Sequence, residues 1–388
     1  MAVVGVDVGV ERSGVDHGTS RSEEEGFKQD LQTRSLGSFG FGLEVVGVRG
    51  PRHCVDTLPE ERAGVPMMHP IDRAAAVMVK RGPRRLRIFP AGWGDRDYVE
   101  QLQDISLLQG HPADILVKWG PSEGGRDRTI RDGRFDAPTD VPTEARTGSV
   151  RLIEPVKGTG QICLLMAAWN DHGYDTRQQL AEELLARGIG SLLIEIPYYG
   201  TRRVVGTDEQ PIQTVADFAR MGLGAVTEGR ALLSLLRDQY DTVGVSGYSM
   251  GGNIGALVGA TAGFPVAMAP LAASYSPGPV FLDGVISNGI QWDQLGGKSQ
   301  AERLRNALTS ASVLRVPAPR WSTSAVLVAA RSDGFIPSTA VEALHDHWTG
   351  SELRWRRGGH ATLLWRQRRA LADAIADSFE RVSSLTTA

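Results

Sequence analysis

Ser249, Asp333 and His360 have the types, and the chain order, needed to break an acyl bond by nucleophilic attack. A serine hydroxyl attacks a carbonyl only when a base removes its proton, and the base needs an acceptor behind it to hold one tautomer. Ser249 stands in Gly247-Tyr248-Ser249-Met250-Gly251, after the β-branched run from Thr242 to Val245 and before a helix-like segment from Asn253 to Val258. In that setting the Gly-x-Ser-x-Gly frame becomes a nucleophile elbow, with the serine on a strained turn above a sheet. Side chains at Gly247 or Gly251 would collide with the adjoining strand and helix. The competing reading is a serine that merely caps a helix at a glycine-rich turn.

The partners discriminate between these readings. Val326 to Ala330 reads as a strand running into a turn that presents Asp333, and Leu353 to Arg356 as a strand running into Gly358-Gly359-His360. Taken alone, Asp333 fits an Asx turn and His360 a helix start. Together, in the order Ser, Asp, His and each at a strand end, they match the triad order of α/β-hydrolases. Asp283 and Asp293 are weaker candidates for the acid. Negative charge develops on the substrate oxygen during acyl transfer, so backbone donors must face it. The amide of Met250 is one candidate, and the amide of Trp169, with Asn170 next, is the second.

The elements that would position these groups alternate. Strands are expected at 150–153, 161–168, 191–196, 242–246, 265–268, 325–329 and 352–356, and helices at 177–187, 212–237, after Ser249, 338–347 and 361–381. Such alternation predicts parallel βαβ units, hence an α/β fold with a doubly wound, mostly parallel sheet. Ligands in such sheets bind beyond the carboxyl ends of the strands. Residues 272–322 interrupt the rhythm and should lie over that edge, as a lid or pocket wall or as a small core built on Tyr275, Phe281, Val285, Ile286, Ile290 and Trp292. The hydrolase domain is placed at 141–388 and an accessory region at 67–140, with loops between 120 and 143. Residues 1–66, polar and aperiodic, are expected to be a disordered leader, with Met67 or Met68 as a candidate natural start.

Composition narrows the class. A chain of 388 residues with 41% hydrophobic and 22% charged residues reads as soluble and globular. A net charge of −3 gives no global field for nucleic acid. Two cysteines, Cys54 and Cys163, make neither a disulfide framework nor a metal site, and a reducing cytoplasm fits. No apolar run has the length of a membrane span, and the amino terminus lacks the features of a signal peptide. His345 and His347, two apart on a helix, point to different faces. The glycine-rich turn lacks phosphate-loop and dinucleotide spacing, so no cofactor and no metal are expected. Arg202 and Arg203 follow a strand end and could clamp an anionic substrate group, or else pair internally with Asp171 or Glu195. Tyr248 is a second candidate substrate contact. The arginines between 354 and 369 read as a solvated basic face.

Several runs together resemble the family of abhydrolase-domain-containing protein eighteen. They are Gly92-Trp93-Gly94, Asn170-Asp171-His172, the run from Ser191 to Arg203 with Pro197-Tyr198-Tyr199-Gly200 as its most specific piece, the elbow, Gly284-Val285-Ile286-Ser287 with Ile290-Gln291-Trp292, and Gly358-Gly359-His360. The resemblance covers about residues 85–382. It implies an α/β-hydrolase fold, Ser249, Asp333 and His360 as the triad, an architectural part for His172, and hydrolysis of an ester or lipid acyl group. The family usually carries glycines in the oxyanion loop, where this chain has Ala168 and Asn170. The expected partner is a small-molecule or lipid ester. The alternatives are an acyltransferase or amidase on the same triad, or a silent binding protein of the same fold.

Overall fold

The computed structural model describes residues 68–81, 86–102, 104–108, 110–207 and 210–386. The expected leader, together with Met67 and Cys54, lies outside the described residues. Among them a nine-stranded sheet runs in the order β1 (Lys118–Gly124), β2 (Arg128–Asp136), β3 (Thr147–Pro155), β5 (Gly190–Glu195), β4 (Gln161–Met166), β6 (Thr242–Tyr248), β7 (Ala267–Leu271), β8 (Val326–Ala330) and β9 (Glu352–Arg356). From β5 to β9 every pairing is parallel, whereas β1, β2 and β3 join antiparallel. Strands β5, β7 and β8 are buried at every position, which is why they read as unbroken apolar or small-residue runs rather than as alternations.

Helices cover both faces. They are α1 (Pro70–Arg81), α2 (Arg96–Gln101), α3 (Asp175–Leu185), α4 (Val215–Arg237), α5 (Met250–Ala260), α6 (Pro277–Leu282), α7 (Trp292–Leu295), α8 (Ala301–Thr309), α9 (Ser338–His347), α10 (His360–Arg366) and α11 (Arg368–Thr386). Two neighbours in β6 report the sidedness. A Cβ on Gly244 would meet the Phe379 ring of α11 at 2.5 Å, while Val245 meets α5 at Gly255 and Gly259. Successive strand residues point to opposite faces, so α11 covers one face and α5 the other. Helix α3 packs with α11, and α4 with α5.

Three segments depart from the sequence expectation. Residues 120–136, expected to be loops, belong to the β1–β2 hairpin, and β2 is in register with β3 from Arg128↔Pro155 to Asp136↔Thr147. Strand β1 is exposed at nearly every position and takes Gly120-Pro121 into a register shift between Trp119 and Ser122. Backbone pairing, rather than burial of alternate side chains, makes it a strand, so it leaves no apolar period to read. Residues 98–108, whose apolar spacing reads as helical, instead form the end of the short α2 and a 3₁₀ turn at Ile105–Leu108. The final helix breaks at Gln367, whose side chain bonds to Arg356 and to the Arg357 carbonyl.

The 272–322 insertion is helical, and Phe281, Val285, Ile286 and Ile290 are buried within it. It is stitched to the accessory region: Ile88 bridges Ile290, and the Trp93 indole donates to the Leu295 carbonyl at 3.0 Å. Gly92, at φ +78°, could not carry a side chain because a Cβ would lie 2.5 Å from the Gln294 carbonyl oxygen. Among the described residues no helix is long and apolar enough to cross a membrane.

Candidate active site

Strand β6 ends at Tyr248, and the next residue, Ser249, sits at φ +57°, ψ −117°. A positive φ in a residue with a Cβ is strained, and it persists only where the surroundings over-determine it. Here they do. The Ser249 amide donates to the Leu271 carbonyl at 2.8 Å, and α5 starts at the next residue. A Cβ on Gly247 would lie 2.5 Å from the Gly251 backbone, and one on Gly251 would lie 2.5 Å from the Met166 carbonyl oxygen. The collisions foreseen for these glycines are therefore present, and they bring the start of α5 against the end of β4, where the oxyanion loop begins.

Asp333 and His360 meet across the ends of β8 and β9. His360 Nδ1 lies 2.7 Å from Asp333 Oδ2. The other oxygen, Oδ1, accepts from the amides of Phe335 and Ile336 at 2.8 and 2.9 Å, so the Asx turn and the contact to the imidazole coexist on one carboxylate. Burial pushes the imidazole pKa down, but the Asp333 charge, its hydrogen bond and the Asp72 charge outweigh this, and the net shift is upward. Phe335 stacks on the His360 ring at 4.9 Å between centroids. The rival acids lie elsewhere: Asp283 is bound by Arg305 at 3.0 Å, and Asp293 is exposed.

The loop after β4 carries Trp169 and Asn170. Asn170 sits at φ +58°, and asparagine tolerates this region better than other residues with a Cβ, which explains how the loop turns without the family's glycine. Behind it Asp171 accepts from buried Arg177 at 2.7 Å, and that guanidinium also donates to the carbonyls of Leu165, Ile194 and Gly173. His172 accepts from the Gly200 amide at 3.2 Å, and burial, then Arg203, lower its pKa, which keeps it a neutral brace. The Pro197-Tyr198-Tyr199-Gly200 run thus backs the loop that carries Trp169 and Asn170. The Trp169 ring packs on Phe281 at 5.1 Å and on Phe218 at 6.0 Å, so the insertion lies over this loop. Met250, as the first residue of α5, has an amide with no acceptor within its own helix.

Two candidate substrate contacts are corrected. Arg202 is wholly buried, and its five N–H donors are spent on Glu228 (2.6 and 2.7 Å), on the Ala145 carbonyl (2.7 and 2.9 Å) and on the Glu195 carbonyl (2.8 Å). It pairs internally, with Glu228 rather than Asp171 or Glu195, and has nothing left for a substrate. Arg203 donates to the Thr207 carbonyl at 3.0 Å. Tyr248 is also buried; its hydroxyl donates to the His360 carbonyl and its ring lies 5.1 Å from the imidazole, so it props the base rather than lining a pocket. His345 and His347 bond separately, to Ser351 and to the Val316 carbonyl. Cys163 is a buried core residue whose thiol pKa burial pushes up.

Sequence reasoning missed Asp72, whose buried carboxylate accepts from the amides of Gly334 (2.9 Å) and His360 (2.8 Å), and it missed the Arg177 brace. Pro70 and Asp72 signal only a helix start. An apolar cleft runs between α4, α5 and α8. Met250, Ile254, Phe218, Met221 and Leu308 line it.

Two outcomes follow. Arg202→Ala leaves Glu228 buried without its cation and should cost about 3–5 kcal/mol in urea unfolding. Adding Glu228→Gln should recover part of the loss, and a cost under about 1 kcal/mol would show that the pair holds nothing together. The His360 imidazole should titrate above about 6.5, its ordinary value. A base works only when neutral, so any step using it should weaken as pH falls through that raised value. An NMR titration midpoint at or below the ordinary value would contradict this.

Known structures give the same architecture. The chain is 14% identical to an acetyl xylan esterase from Paenibacillus sp. R4, with a TM-score of 0.52 over 75% of this chain and 97% of that one. It is 13% identical to acetyl xylan esterase 1 from Thermoanaerobacterium sp. JW/SL YS485, with a TM-score of 0.50 over 76% of this chain and 97% of that one. At such identities the likeness is one of fold, an α/β-hydrolase sheet with its helices. The sequence itself matches the family model described as alpha/beta hydrolase domain containing 18 over residues 86–309 and 296–381. With the sheet order, the elbow and that match in place, the chain belongs to the alpha/beta hydrolase domain containing 18 family.

Proposed function

We propose that this protein is a serine hydrolase that cleaves a carboxylic ester through an acyl-enzyme on Ser249. The observation that carries the reading is the 2.7 Å contact from Asp333 Oδ2 to His360 Nδ1, on a turn that Tyr248, the residue before the strained Ser249, contacts through its hydroxyl and ring. Asp333 fixes the imidazole so that Nε2 is the free acceptor, and the raised His360 pKa suits a group that takes and returns a proton. His360 removes the Ser249 proton as the oxygen attacks the ester carbonyl. The same proton then goes to the departing alcohol. Water, deprotonated by His360, attacks the acyl-enzyme and releases the acid. The amide of Met250, with Trp169 as the second donor, would stabilise the oxyanion; loss of one such donor typically costs about 10²–10³ in rate.

The apolar cleft beginning at Met250 favours an apolar acyl group over a short charged one. The insertion supplies a wall of that pocket through Pro277, Ala307, Leu308 and Ala311.

Two measurements test the reading. A fluorophosphonate probe should label the wild type and leave Ser249→Ala unlabelled; an unlabelled wild type would point instead to a silent binding protein. Asp333→Asn should lower kcat for a nitrophenyl ester by about 10³–10⁴. If its turnover matches wild type, the acid is not Asp333.

A further inference from the structure

Asp72 lies in the first turn of α1 and is 0% exposed. Its Oδ2 accepts from two amides, those of Gly334 and His360, the first adjacent to Asp333 and the second belonging to the base itself. The neighbouring His69 amide donates to the Ser332 carbonyl at 3.0 Å, so the segment brackets the acid turn from both sides. Room has been left for it. A Cβ on Gly359 would lie 2.5 Å from Asp72 Oδ2, and one on Gly334 would lie 3.1 Å from the Asp72 Cβ. Oδ1 is buried with no hydrogen-bond partner, and no arginine or lysine pairs with this carboxylate among the described residues. A buried carboxylate left partly unsatisfied is destabilising by itself, so a mere peg for α1 would be better served by a neutral side chain.

We propose that Asp72 is a positioning residue whose carboxylate clasps the Asp333 turn to the His360 turn and holds a second negative charge beside the imidazole. This rests on the reading of Ser249, Asp333 and His360 as a triad. The clasp fixes the two strand ends relative to each other, and so fixes the direction in which the imidazole presents Nε2. The other titratable groups around His360 are Asp333, Tyr248, kept protonated by burial and by the two carboxylates, and His69, whose Nδ1 accepts from the Ile71 amide. Of these, Asp333 and Asp72 carry the charges that raise the His360 pKa against its burial.

Two variants of the full chain separate the clasp from the charge. Asp72→Ala removes both and should lower kcat/KM for a nitrophenyl ester about 10²-fold, mostly in kcat, with fluorophosphonate labelling of Ser249 slowed in parallel. Asp72→Asn offers a carbonyl oxygen to the same two amides. It should recover most of kcat, yet move the acid limb of the kcat/KM profile to lower pH because one negative charge is gone. If Asp72→Ala does not fold, the Asp72→Asn profile decides alone. A wild-type acid limb in Asp72→Asn, or activity in Asp72→Ala lost only in proportion to its unfolded fraction, would reduce Asp72 to a structural peg. Failure of the wild type to label sinks the hydrolase reading, whereas wild-type labelling matched by Asp72→Ala sinks the clasp alone.

Discussion

Everything at this site depends on one residue being held where its backbone does not want to be. Ser249 at φ +57° is strained by roughly 1–3 kcal/mol, and the fold holds it there by crowding. Gly247 and Gly251 touch each other, Gly251 touches the end of β4, and Gly252 packs against Ala273. Each contact is closer than any side chain would allow. Because the glycines let the helix press onto the strands, the turn has no room to relax, and the hydroxyl is left above the carboxyl edge of the sheet. The surrounding loops then need only be braced around a fixed point.

That bracing is done with buried charge. Arg177 gathers Asp171 and three backbone carbonyls beside the loop that carries Trp169, and Arg202 with Glu228 ties the end of β5 to α4 and to the Ala145 turn. Burial raises the Glu228 pKa even though Arg202 lowers it, so this pair is held against a desolvation penalty. Such pairs contribute little net stability compared with an apolar replacement, but they fix directions sharply because each guanidinium donor demands its own acceptor. Among the described residues Asp72 differs in pairing with no cation, and its carboxylate accepts from the turns that carry Asp333 and His360.

Much of this was legible from residue order. The elbow, the turns bearing Asp333 and His360, and the strands from β4 to β9 are all encoded locally, β4 to β8 as apolar or small-residue runs and β9 as an alternation of charged and apolar residues. Helix α9 spans Ser338–His347 and β9 spans Glu352–Arg356, as their patterns indicate. The β1–β2 hairpin was not legible, because an exposed edge strand held by pairing alone carries no period. Arg202 was misleading for a different reason: an arginine after a strand end looks the same whether it faces a pocket or a glutamate 26 residues further along. Asp72 had no local signal at all, since its meaning lies in contacts made only when the fold is complete.

That distance has a consequence for how the chain matures. The Asp72 and His360 partners are 288 residues apart, so their contact cannot form until the chain has been made through residue 360. During synthesis the early segment must wait, its carboxylate hydrated, while the central strands assemble ahead of it. Loop-closure entropy grows only slowly with length, so the order of synthesis, more than the size of the loop, makes this contact a late one. The nucleophile turn, made from residues close in the chain, can be in place well before. In the growing chain the Ser249 turn can thus be set before Asp72 finds the His360 amide.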